Sequence, residues 1–118
     1  MPFFKPENVT AIRPLPGSSL RTPYGENLML SRVEMEEGAV IPMHEHPHEQ
    51  GGVVLEGRMQ LTIDEETQIL EVGDMYVIPP NTPHRAAAWE GPAVALDVFS
   101  PVREDYVEMT NKYIPETE

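Results

Sequence analysis

The chain has 118 residues, enough for one domain and one modest core. Its 20 Asp+Glu against 8 Lys+Arg leave a net charge of −12, which argues against nucleic acid and against an anionic membrane surface, since both are gripped by a basic face. The absence of cysteine excludes disulfides, thiolate metal sites and cysteine nucleophiles.

Thirteen prolines and eight glycines make roughly 18% of the chain against an average near 12%. Proline breaks helix interiors and central strands alike, so long helices are not expected. The first residues, Met1-Pro2-Phe3-Phe4-Lys5-Pro6, hold no apolar run of signal-peptide length. No later stretch approaches the ~18 apolar residues of a membrane span, so the expected location is the cytoplasm. Residues 1–24 carry five prolines and read as an irregular arm with a short strand near Val9–Arg13.

From residue 25 the pattern becomes that of a β protein. Met29, Ser31, Val33 and Met35 share one strand face, with Arg32, Glu34 and Glu36 on the other. Met59, Leu61 and Ile63 alternate with Gln60, Thr62 and Asp64. Val94, Leu96 and Val98 alternate with Ala95, Asp97 and Phe99, and the reading sends the valines and the leucine into apolar packing, so that Asp97, with Ala95 and Phe99, can point into a cavity. Turn signals punctuate these runs at Glu37-Gly38, Gly51-Gly52, Glu56-Gly57, Asp64-Glu65-Glu66, Gly73-Asp74, Pro79-Pro80-Asn81 and Glu90-Gly91-Pro92. Such spacing fits an antiparallel sandwich or barrel. Residues 100–118, with Pro101 and Pro115 near the two ends, read as charged chain with a helical turn or two; the barrel is assigned to 25–106 and the charged tail to 107–118.

Three of the four histidines, His44, His46 and His48, fall within five residues, and the fourth is His84. On an extended strand His44 and His46 point to one face, and converging neutral imidazoles suit Zn, Cu, Fe or Ni. A lone His-x-His is equally at home on a solvated edge. The wider pattern is more specific. It runs Gly38, five residues, His44-Glu45-His46, three residues, Gln50, six residues, Gly57; then Gly73, five residues, Pro79-Pro80-Asn81, two residues, His84. These blocks resemble the two signature motifs of the cupin superfamily. The resemblance implies an all-β fold, a single double-stranded β-helix (jelly-roll) barrel, with the ligands of both motifs meeting inside.

Three positions depart from that pattern: Gln50 replaces the usual Glu, Asn81 the usual Gly, and Ala88 the closing Asn. Asn tolerates the left-handed conformation that the glycine supplies. Glu49 adjoins Gln50, so either is open as a ligand. Strand parity and the count of three intervening residues favour Gln50, while a bulge at Gly51-Gly52 would keep Glu49 in play. Three histidines and a glutamine carry no negative charge, so a bound M²⁺ keeps its full +2 and acts as a stronger Lewis acid.

Pro42-Met43-His44-Glu45-His46-Pro47-His48-Glu49-Gln50, Pro79-Pro80-Asn81-Thr82-Pro83-His84 and Leu96-Asp97-Val98-Phe99-Ser100-Pro101-Val102-Arg103-Glu104-Asp105 together resemble a narrower branch. This is the KdgF-type pectin-degradation cupins, which open cyclic 4,5-unsaturated uronates to linear keto sugars. The resemblance implies metal ligands at His44, His46, Gln50 and His84, holding one divalent transition ion (Zn, Ni, Fe or Mn). It implies catalytic roles for Asp97 and Arg103, with Arg103 also gripping a substrate carboxylate and Phe99 packing on the sugar; a surface ion pair with Glu104 or Asp105 is the alternative for Arg103. Tyr76, close to the second motif, is a further pocket candidate. The expectation is a non-redox, metal-dependent enzyme acting on a small anionic substrate, and a homodimer. Two other classes stand beside it, a metal-dependent dioxygenase and a non-catalytic ligand-binding cupin.

Overall fold

The computed structural model describes residues 2–112; Met1 and residues 113–118, which include the tail's Pro115, lie outside the described residues. Ten strands form two antiparallel sheets. They are β1 (Ala11–Ile12), β2 (Ser18–Arg21), β3 (Met29–Met35), β4 (Val40–His44), β5 (Glu49–Glu56), β6 (Met59–Ile63), β7 (Glu66–Leu70), β8 (Met75–Ile78), β9 (His84–Ala88) and β10 (Ala93–Ser100). One sheet runs β1-β2-β3-β10-β5-β8, the other β4-β9-β6-β7. This is the expected jelly-roll barrel. A helix, α1 (Glu104–Lys112), follows and packs against β1.

The alternation of β3 and β6 sets their burial. Met29, Ser31, Val33 and Met35 are buried on one face of β3, and Met59 and Leu61 on one face of β6. Val33, Met35, Met59 and Leu61 join Ile12, Leu20, Val54 and Ala95 in one core between the sheets. Most turns behave as their residues dictate, but Gly51-Gly52, expected as a turn, lies inside β5 and pairs in its ladder. Asn81 adopts φ 58°, the left-handed conformation that glycine or asparagine accepts most readily.

Three expectations need correction. The arm is ordered earlier than read, because β1 and β2 both join the six-stranded sheet, with Ser18 opposite Met35 and Leu20 opposite Val33. The strand expected near Val9–Arg13 is present as β1, and β2 is a second strand within the stretch read as irregular. Ser18-Ser19-Leu20-Arg21 hides its strand character behind buried serines and flanking prolines. The barrel chain also runs straight into α1, so the boundary placed between 106 and 107 falls inside a helix.

The third correction concerns β10. Asp97 shares a buried face with Ala93, Ala95 and Phe99, as expected, but Val94, Leu96 and Val98, expected in apolar packing, are only partly covered. The interior here must leave room for a cavity, which alanines do and valines do not. The β-branched residues instead cover the outer face, beside Leu30 and Leu55. Among the described residues no helix is long and apolar enough to cross a membrane.

Candidate functional site

The connection from β4 to β5 carries the chain from the four-stranded to the six-stranded sheet. His44 ends β4 and Gln50 is the second residue of β5, so residues 45–48 form a corner rather than one continuous strand. His84 opens β9 and lies directly opposite His44 in the ladder. The loop before it is tied to the corner by the Asn81 amide, which donates to the His46 carbonyl at 2.8 Å. The two motifs thus meet at one end of the barrel.

His44, His46 and His84 each offer a ring nitrogen within 4.8 Å of the others. Their Nδ1 atoms face backbone carbonyls, His44 that of Pro42 at 2.9 Å, His46 that of His48 at 3.1 Å and His84 that of Thr82 at 2.8 Å. A proton on each Nδ1 leaves Nε2 as a lone-pair donor, the arrangement found around metal-bound histidines. The Nε2 of His84 is buried without a partner. The Nε2 of His46 lies 3.0 Å from Gln50 Oε1. Burial, the Arg103 cation and the neighbouring His84 lower the His46 pKa to about 4. Burial likewise lowers His84, and its bond to Thr82 only partly opposes this. Neutral imidazoles are what a metal requires at pH 7.

An orphaned buried nitrogen, three preset tautomers and an amide oxygen fit a divalent transition ion. His44, His46, His84 and Gln50 are the side chains brought together. Glu49 is exposed and points the other way. His48 is half-buried beside His46, with ring centroids 5.4 Å apart, and stands outside the three-histidine group.

Asp97, Tyr76, Phe99 and Arg103 line the same interior cavity as His44, Gln50 and His84. The free space there is about 50 Å³, room for a few water-sized groups. A recess of about 240 Å³ adjoins it, sharing His44, Arg103 and Tyr106. Asp97 is buried and accepts a hydrogen bond from the Tyr76 hydroxyl at 2.5 Å. Burial raises its pKa to about 6, although bonds from Tyr76 and Gln50 pull it down. Burial and the adjacent Asp97 charge raise the Tyr76 hydroxyl, which stays protonated.

Gln50 therefore serves both neighbours, with its oxygen towards His46 and its amide protons available to Asp97. A glutamate there would set a second buried carboxylate against Asp97, and one of the two would have to hold a proton.

Arg103 is buried just before α1. Its Nε and Nη2 grip Asp105 at 3.2 and 2.8 Å, and its guanidinium lies 4.0 Å from the Tyr106 ring centroid and 5.1 Å from that of Phe99. Nη1 is not engaged by Asp105. Phe99 is buried and meets His46 and Tyr106 edge-on, at 5.7 and 6.0 Å. Sequence reasoning offered Asp105 only as a surface ion-pair partner of Arg103 and passed over Tyr106. The available signal was their place two and three residues after it, at the start of a helical turn.

The chain matches the cupin domain over residues 31–99. It is 33% identical over 85 residues to the pectin degradation protein KdgF of Dickeya dadantii, spanning 71% of this chain and 77% of that protein. Among solved structures, KdgF from Halomonas sp. superposes with a TM-score of 0.82 at 32% identity, covering 88% of this chain and 98% of that one. An RmlC-like cupin from Shewanella frigidimarina gives 0.84 at 27% identity, covering 90% and 96%.

Proposed function

This chain belongs to the cupin family, and from that premise we propose that it is a divalent-metal enzyme of uronate breakdown. Its substrate would be a small 4,5-unsaturated uronate, opened to a linear keto sugar without redox change. The observation that carries this reading is the buried Asp97 carboxylate, set in one cavity with Gln50, His44, His84 and Arg103. The likeness to the KdgF proteins supports the same substrate class.

The proposed chemistry balances within the substrate. The hydroxyl on C1 loses its proton, the C1–O5 bond breaks to an aldehyde and an enolate, and a proton is added at C4. Asp97, with a pKa of about 6, takes up and returns a proton close to neutrality. Arg103 offers Nη1 and its end-on edge to the substrate carboxylate while Asp105 holds the other edge. Phe99 and Tyr76 wall the cavity. A divalent ion held by His44, His46, Gln50 and His84 would supply Lewis-acid polarisation of a substrate oxygen.

The cation set and Arg103 also answer a difficulty of charge, since a protein of net charge −12 repels a sugar acid at long range. The proposed location is cytoplasmic and the proposed assembly a homodimer. The partly apolar outer face of the six-stranded sheet, beside exposed Phe3 and Phe4, supports the dimer.

The test follows the ultraviolet absorbance of an unsaturated uronate, with metal-depleted protein as control. The expected result is loss of absorbance that depends on metal and on Asp97. No loss at high protein concentration would remove this substrate. Oxygen consumption by the Fe(II)-loaded protein would instead favour an oxygenase.

A further inference from the structure

Gly51 and Gly52 interrupt β5, an inner strand flanked by β10 and β8. An interior glycine weakens a strand by about 0.5–1 kcal/mol relative to alanine, so the pair calls for a cause. Conformation does not supply one, because neither glycine is among the positive-φ residues. Space does, at one of them. The ladder places Gly52 opposite Asp97 on one side and opposite Tyr76 on the other. The three residues form a row across the sheet, and directly opposed residues share a face.

Strands two apart are separated by about 10 Å, so the outer side chains of such a row do not ordinarily touch. Here Tyr76 and Asp97 lean over the glycine and meet, with the 2.5 Å hydrogen bond between them. A β-carbon on Gly52 would lie 2.5 Å from both Cζ and Oη of Tyr76, and closer still to Asp97 Oδ1. On Gly51 it would meet only the Tyr76 carbonyl, at an ordinary 3.6 Å.

We propose that Gly52 is the floor over which Tyr76 and Asp97 pair, and that Gly52 and Tyr76 are positioning residues that fix the Asp97 carboxylate in the cavity. The proposal rests on the assignment of proton transfer to Asp97. It adds that the strand beneath must stay bare for that carboxylate to hold its place.

The test compares Gly52→Ala, Tyr76→Phe and the control Gly51→Ala with the parent in the metal-loaded protein. The first readout needs no substrate. A Tyr76 hydroxyl proton held by Asp97 should appear in the proton NMR spectrum as a downfield, slowly exchanging signal. It should vanish in Tyr76→Phe, vanish or shift in Gly52→Ala, and persist in Gly51→Ala. The second readout is turnover of unsaturated uronate. The kcat of Gly52→Ala should fall about a hundredfold, as expected for displacement of a reacting group by about an ångström, with KM and metal content little changed. Should Gly52→Ala fail to fold, Gly52→Ala/Tyr76→Ala/Asp97→Ala removes both groups the new methyl would overlap, and recovered folding supports the proposal. A Gly52→Ala protein that keeps both the hydroxyl signal and its kcat overturns it, as does a triple variant that stays unfolded. If the signal responds as expected but the parent turns over no uronate, the pairing stands and only the substrate assignment falls.

Discussion

Replacing Asp97 by asparagine should abolish turnover and, at neutral pH, make the metal-free protein more stable. The carboxyl is buried, and its pKa rises from the ordinary 3.8 to about 6. Between those values the native state binds more protons than the unfolded chain, so stability falls as pH rises. The penalty is absent below 3.8, grows through the interval, and is complete above 6. At 1.36 kcal/mol for each pH unit, it reaches about 3 kcal/mol. Asparagine keeps an acceptor for the Tyr76 hydroxyl and carries no charge to desolvate, so the gain at pH 7 should approach that figure. The assay is urea unfolding of both metal-depleted proteins from about pH 4 to about pH 8, read as the difference between them. Titrations shared by both proteins cancel in that difference. A gain that is flat with pH, or none at pH 7, would refute the burial argument.

Metal removal should destabilise the fold as well as silence it. At free metal about a hundredfold above Kd, the loaded protein gains about 2.7 kcal/mol, measurable by thermal unfolding with and without chelator. The gain should shrink as pH falls towards the His46 value of about 4, where protons compete for the ring, and disappear in His84→Ala. Arg103→Lys keeps the charge but loses the planar fork, so KM for a sugar acid should rise about tenfold to a hundredfold with a smaller change in kcat. Phe3→Ser/Phe4→Ser should shift the mass measured by light scattering from dimer towards monomer, while the metal content stays constant.

Much of the fold was legible wherever one strand face packs and the other is wet. The alternation in β3 and β6 gave their buried sides directly. In β10 the side of Ala95, Asp97 and Phe99 was legible as the cavity face, but the valines and the leucine were expected in apolar packing and instead cover the outside, because small or polar residues line the cavity. β2 escaped notice because its burial rests on two serines rather than on an apolar run.

At the site, spacing was enough to assemble the histidines. The inward turn of Gln50 followed from parity, although the chain reaches it round a corner instead of along one strand. The roles of Asp105, Tyr106 and Gly52 were not legible. The first two depend on how α1 leaves the barrel. The third depends on the register of three strands taken together, which no local window contains.

The donors around the candidate centre have a mechanical consequence. His44 and His84 come from the four-stranded sheet, Gln50 from the six-stranded sheet, and His46 from the turn between them. An ion bound by all four is a rivet through both layers at one end of the barrel. Loading it should slow amide hydrogen exchange at the facing ends of β4, β5 and β9 and leave β7, which contributes no donor, exchanging as before. Occupancy would then set how far the two walls can part, and with it the width of the opening through which the proposed substrate would pass.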